Sequence, residues 1–125
     1  MKEVIISEKA PRPVGPYSQA IKIGNLIFVA GQGPLDPETG KIVRGDIREQ
    51  TKQTFKNIEA ILNAAGLTLE HIVKVSVFLK NINDFNKMNE SYATLFKRDP
   101  PARTTVEANL PREGMLIEAD VVAAL

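Results

Sequence analysis

Two charged residues in the last quarter of this chain are the ones best placed by type and surroundings to do chemistry. Arg103, in Pro100-Pro101-Ala102-Arg103-Thr104-Thr105, stands where a proline-rich loop turns into a β-branched run. A guanidinium there is either a solvated surface charge or a planar fork offering two parallel hydrogen bonds to a carboxylate, where a lysine would offer only a point charge. Glu118 lies in the run Met115 to Leu125, which is apolar but for it and Asp120. Partial burial would raise its pKa and make it a proton acceptor or a group that positions water; a solvent-facing strand glutamate is the plain alternative. Side-chain alternation puts Arg103, Thr105 and Glu107 on one face of their strand, and Glu118 with Asp120 on one face of the next. If these strands pair around the turn Pro111-Arg112-Glu113-Gly114, fork and carboxylate line one pocket, suited to an anionic substrate and an activated water.

Other positions fit around such a pocket. Tyr17, in Gly15-Pro16-Tyr17-Ser18, follows a rigid turn that aims its ring either into a cleft or into the core. Gly31 and Gly33 allow a close backbone approach to a ligand, but no Lys-Ser or Lys-Thr follows to make a phosphate loop, and read alone they form a turn. Asn89 is either an amide at a pocket edge or a helix-boundary residue. The inventory excludes much else. There is no cysteine and one histidine, His71, so thiol nucleophiles, zinc thiolates, histidine pairs and catalytic triads cannot be assembled. Acidic residues lack calcium-loop spacing, and no metal is expected. Sixteen Lys plus Arg against fifteen Asp plus Glu leave a net charge of +1 with both signs interspersed, so no nucleic-acid partner is expected. No apolar run approaches the roughly 20 residues that span a bilayer, and MKEVIISEKAP lacks a signal-peptide core, which makes a soluble cytoplasmic protein without membrane attachment the expectation.

The elements that must hold these residues follow from periodicity. At 125 residues, 43% of them hydrophobic, residues 1–125 read as a single domain with a modest core. Lys2 to Ile6 fits a short edge strand, and Ala20 to Ile23 with Leu26 to Ala30 flank Gly24-Asn25, a two-residue hairpin signal. GQGPLDPETGK over 31–41 is a long loop. Asp46 and Glu49 resemble a capping box before apolar positions at helical spacing, predicting a helix over 46–65 that Gly66 ends. A strand is predicted over 72–79, a second helix over 84–97, and closing strands over 104–110 and 115–125. The order is β-β-α-β-α-β-β, an α+β layer with both helices on one face of an antiparallel or mixed sheet. Alternation in the last strand leaves both faces partly apolar, so a second copy of the chain is the economical cover for the open face.

GPYSQA at 15–20, AGQGPLDPETG at 30–40, AAG at 64–66, VFLKNINDF at 77–85, MNESY at 88–92 and PAR at 101–103, followed by LP and IEAD, resemble the Rid (YjgF) family of reactive-intermediate enamine/imine deaminases over nearly the whole chain. The resemblance implies a chorismate-mutase-like α+β fold, a homotrimer with clefts between subunits, and cofactor-free hydrolysis of 2-imino acids such as 2-iminopropanoate to 2-oxo acids and ammonia. It implies that Arg103 grips the substrate carboxylate, that Glu118 orients the water, and that Tyr17, Gly31, Asn89 and Thr105 line the cleft. Thr105 stands where several members carry cysteine, Ala30 where serine is frequent, and Gly33 where isoleucine is usual, the last expected to leave room beside the cleft. Members also carry the names endoribonuclease and translation inhibitor, and a non-catalytic 2-oxo-acid sensor or holdase would use the same clefts.

Overall fold

The computed structural model describes residues 1–125. Its strands are β1 (Glu3–Ile5), β2 (Ala20–Ile23), β3 (Leu26–Gln32), β4 (Ile72–Leu79), β5 (Ala102–Glu107) and β6 (Ile117–Ala124), and its helices are α1 (Ile47–Ala64) and α2 (Phe85–Leu95). Gly24, at φ 56°, lets β2 and β3 join through two residues in a hairpin that pairs Ile23 with Leu26. The capping box of α1 is formed: the Asp46 carboxylate accepts from the Arg48 N–H at 2.8 Å, and the Asp46 N–H donates to Glu49 Oε2 at 3.0 Å. That satisfies otherwise orphaned helix-end groups.

The six strands form one mixed sheet in the order β1-β2-β3-β6-β4-β5. Two expectations are corrected. The short N-terminal strand is part of the sheet, so the order is β-β-β-α-β-α-β-β. The last two strands are not a hairpin: β6 inserts between β3 and β4, antiparallel to both, while β5 runs parallel to β4 on its far side. The β4-α2-β5 segment is therefore a crossover through a helix, the connection a parallel pair needs. β5 also begins earlier than expected, at Ala102, which places Arg103 inside the strand.

Both helices lie on one face of the sheet. Val75, Val77 and Leu79 of β4 and Ile117, Ala119, Val121 and Ala123 of β6 alternate into the core they share with Phe55, Ile58, Ile61 and Leu62 of α1 and Met88 and Tyr92 of α2. Phe55 meets Tyr92 and Phe96 edge-on, with ring centres 5.6 and 5.7 Å apart. The opposite face carries no element of this chain, and Phe28 and Val106 on it are 44% and 42% exposed. Phe55 is fully buried. Phe55→Ala should cost about 3–5 kcal/mol by leaving a cavity under both helices, measured as a lowered midpoint of denaturant unfolding.

Candidate functional site

Arg103 points to the helix side of the sheet, because its neighbour in register is the core residue Val75. Phe85, Asn89 and Tyr92, spaced four and three along α2, face it together. Arg103 Nη2 donates to Asn89 Oδ1 at 2.8 Å, and the guanidinium carbon lies 4.5 Å from the Tyr92 ring centre and 5.6 Å from that of Phe85. No carboxylate pairs with it; the ion pairs of the chain are those of Arg48 with Asp46 and Glu90. The cation is thus oriented by an amide and aromatic faces rather than neutralised, and most of its N–H donors remain free. Burial pushes the Tyr92 hydroxyl pKa up, against the pull of the nearby Arg103 guanidinium. Asn89, Arg103, Pro100 and Pro101 line a cavity of about 460 Å³. Thr105, beside the core residue Val77, shares Arg103's face two residues along.

Glu118 occupies the other face. Its neighbours Ile117 and Ala119 are buried under α1, so alternation turns it outward, in register with Phe78. Between Val29 and Gln32 the pairing of β3 with β6 slips, a bulge that brings Gly31 against the glutamate. A Cβ on Gly31 would lie 2.6 Å from Glu118 Oε2, so only glycine lets the carboxylate rest on this backbone. Tyr17, Gly31, Gly33, Met115 and Glu118 belong to one cavity of about 200 Å³. Tyr17 is exposed, and its hydroxyl accepts from the Val14 N–H at 3.3 Å. The room expected at Gly33 is taken: a Cβ there would meet the Met115 methyl at 2.5 Å.

Sequence reading missed the groups that hold these walls. Asn57, buried on α1, donates to the carbonyls of Gly33 and Leu35 at 3.1 and 2.8 Å, fixing the loop after β3. Gln50, one face-length earlier, donates to the Gly114 carbonyl at 2.9 Å and accepts from the Leu116 N–H at 2.8 Å, fixing the segment before β6. The available signal was polar residues falling in phase with the apolar stripe Ile47, Phe55, Ile58, Ile61 and Leu62. The aromatic seat of Arg103 was legible in the same way, as Phe85 and Tyr92 at helical spacing around Asn89.

The structure therefore brings Arg103, Asn89 and Thr105 to one side of the sheet and Glu118, Tyr17 and Gly31 to the other. Arg103 and Glu118 do not share a pocket within one chain, as a β5–β6 hairpin would have required; β4 stands between their strands. Burial, and secondarily the charge of Asp120, holds the Glu118 pKa above the ordinary carboxylate value. A carboxyl with a raised folded-state pKa binds extra proton in the folded state, so its stabilising contribution is present at low pH and is lost as pH rises from the unfolded pKa through the folded one. Asp120→Asn should lower the Glu118 titration midpoint while leaving it above the ordinary value. Carboxyl carbon NMR across a pH series checks this, together with a smaller loss of stability over that interval.

Fold and cavities define a small α+β protein that presents an unpaired arginine on one side of its sheet and a half-buried glutamate on the other. The chain belongs to the Rid family: the family model described as endoribonuclease L-PSP matches residues 7–125. It is 59% identical to a RutC family protein of Pyrococcus abyssi over 98% of this chain and 96% of that protein. It is 42% identical to the human 2-iminobutanoate/2-iminopropanoate deaminase over 98% and 90% of the two chains. The crystal structure of the Rid family protein YyfA of Yersinia pestis superposes with a TM-score of 0.95 at 44% identity over the full length of both chains.

Proposed function

We propose that this protein hydrolyses 2-imino acids and their enamine tautomers to 2-oxo acids and ammonia, in clefts formed between copies of the chain arranged as a homotrimer. The observation that carries the reading is the ion-pair-free Arg103, aimed by Asn89 and Tyr92 and with N–H donors left over for a small carboxylate. The human relative named as a deaminase of such imines supports it. Arg103 of one copy would pin the substrate carboxylate, and Glu118 of its neighbour would hold the attacking water; the open apolar sheet face gives the copies a surface to share.

In the reaction, water oxygen bonds to the imine carbon while Glu118 takes one of the water protons and passes it to the nitrogen. The hydroxyl proton of the resulting carbinolamine is then transferred to its NH2 group, the C–N bond breaks with ammonia as the leaving group, and the C=O forms. Nothing is oxidised or reduced, so water is the only co-reactant. Such imines hydrolyse unaided in water, and positioning the two reactants supplies much of the acceleration. The raised Glu118 pKa suits a proton acceptor near neutral pH, and the rate should fall as acid protonates it.

The test is release of 2-oxobutanoate from imine generated by a threonine dehydratase. The unmodified protein should accelerate it, Arg103→Ala should lower kcat/KM by about 10²-fold, and Glu118→Gln should lower kcat by about 10²-fold or more. Sedimentation should give three times the 13.7 kDa chain mass. Unfolding and refolding the two variants together should restore activity at about a quarter of the sites, since mixed rings contain clefts with both native residues. No acceleration by the unmodified protein would sink the deaminase reading. The family's endoribonuclease name gives a second reading, which salt-sensitive RNA cleavage that survives Arg103→Ala would favour.

A further inference from the structure

The cavity beside Glu118 carries more positive charge than the proposed reaction of a simple imino acid needs. Two arginines line it, Arg12 and Arg112, and neither forms an ion pair with any carboxylate of the chain. Glu118 is the one acidic residue in the lining, so the cavity is net cationic. Its remaining wall includes the apolar side chains of Val14, Leu35 and Met115.

Both arginines stand on stiff, anchored backbone. Arg12 lies between Pro11 and Pro13, and Arg112 directly follows Pro111. A following proline biases Arg12 toward extended conformations, and the proline rings fix their own φ angles. The Arg12 loop is tied down by the buried Gln19, whose Nε2 donates to the Pro11 carbonyl at 2.9 Å and to that of Ser7 at 3.1 Å, while its Oε1 accepts from the Ser7 N–H at 2.7 Å. The Arg112 turn is held at Gly114 by Gln50, and Arg112 Nη2 donates to the Gly40 carbonyl at 3.2 Å, leaving other donors of its fork free. Arginines carried on backbone held in this way lose less main-chain freedom when an anion binds than arginines on mobile loops would.

From this we infer that the site takes 2-imino and 2-oxo dicarboxylates, with Arg12 and Arg112 meeting the distal carboxylate and the apolar wall packing against the intervening methylenes. The inference rests on the deaminase reading for the placement of the first carboxylate at Arg103. The hydrolysis itself needs no further reactant, since the distal carboxylate takes no part in the bond changes.

Calorimetric binding of 2-oxoglutarate and 2-oxobutanoate separates this inference from that reading, because it needs no turnover. The dicarboxylate should bind roughly tenfold more tightly, with the preference shrinking as salt rises. In Arg12→Gln/Arg112→Gln the ratio should fall toward one; both residues are exposed, so the substitutions leave the core untouched. Equal binding by the unmodified protein, or a preference that survives the double substitution, overturns the inference. In parallel, hydrolysis of the imine released from aspartate by a flavin-dependent oxidase is compared with that of the imine from threonine. Acceleration of the threonine-derived imine without a dicarboxylate preference in binding leaves the deaminase reading standing and rejects the dicarboxylate site. A binding preference without acceleration of either imine does the reverse.

Discussion

The structure depends on β6 running through the middle of the sheet. Hydrogen-bonded to β3 on one side and β4 on the other, it sends Ile117, Ala119, Val121 and Ala123 under the helices and Glu118, Asp120 and Val122 to the opposite face. A shift of one residue in its register would exchange these sets, burying two carboxylates beneath α1 and exposing the core. The hydrophobic alternation of one strand thereby fixes the position of Glu118, the sidedness of the sheet and the displacement of β5 to the edge where Arg103 faces α2.

Placing Arg103 and Glu118 on opposite faces has an electrostatic consequence. Unit charges of opposite sign about 4 Å apart attract by roughly 4 kcal/mol at an effective dielectric constant near 20, so neighbours in one pocket would neutralise each other and depress the glutamate pKa. Here the guanidinium keeps free donors because an amide and aromatic faces orient it, and the glutamate keeps a raised proton affinity because burial and Asp120 act on it. Under the proposed function, the groups meet only where two copies of the chain meet, with the substrate between them.

The walls of the Glu118 cavity are loops, and α1 makes them rigid. Gln50 and Asn57 spend buried side-chain amides on the carbonyls of Gly33, Leu35 and Gly114 and on the N–H of Leu116, backbone groups just outside the strands β3 and β6. Glycine does the complementary work: Gly31 admits the carboxylate, and Gly33 admits the Met115 methyl. Both glycines matter here for the volume they leave empty.

What the sequence determined by itself was local. Helical spacing and the Asp46-Glu49 box announced α1, period-two runs announced the strands, the Gly24-Asn25 pair announced the β2–β3 hairpin, and the quoted motifs placed the chain in its family, because these signals act between residues near one another along the chain. Strand pairing was decided only in three dimensions. The turn at 111–114 reads as a hairpin, yet β6 enters between β3 and β4, whose core residues it packs beside, and α2 carries β5 across to lie parallel to β4. That choice put β4 between Arg103 and Glu118 and gathered Arg12 and Arg112 around the glutamate's cavity, because burying the most apolar strands at the sheet centre is a property of the whole core, which no local pattern encodes.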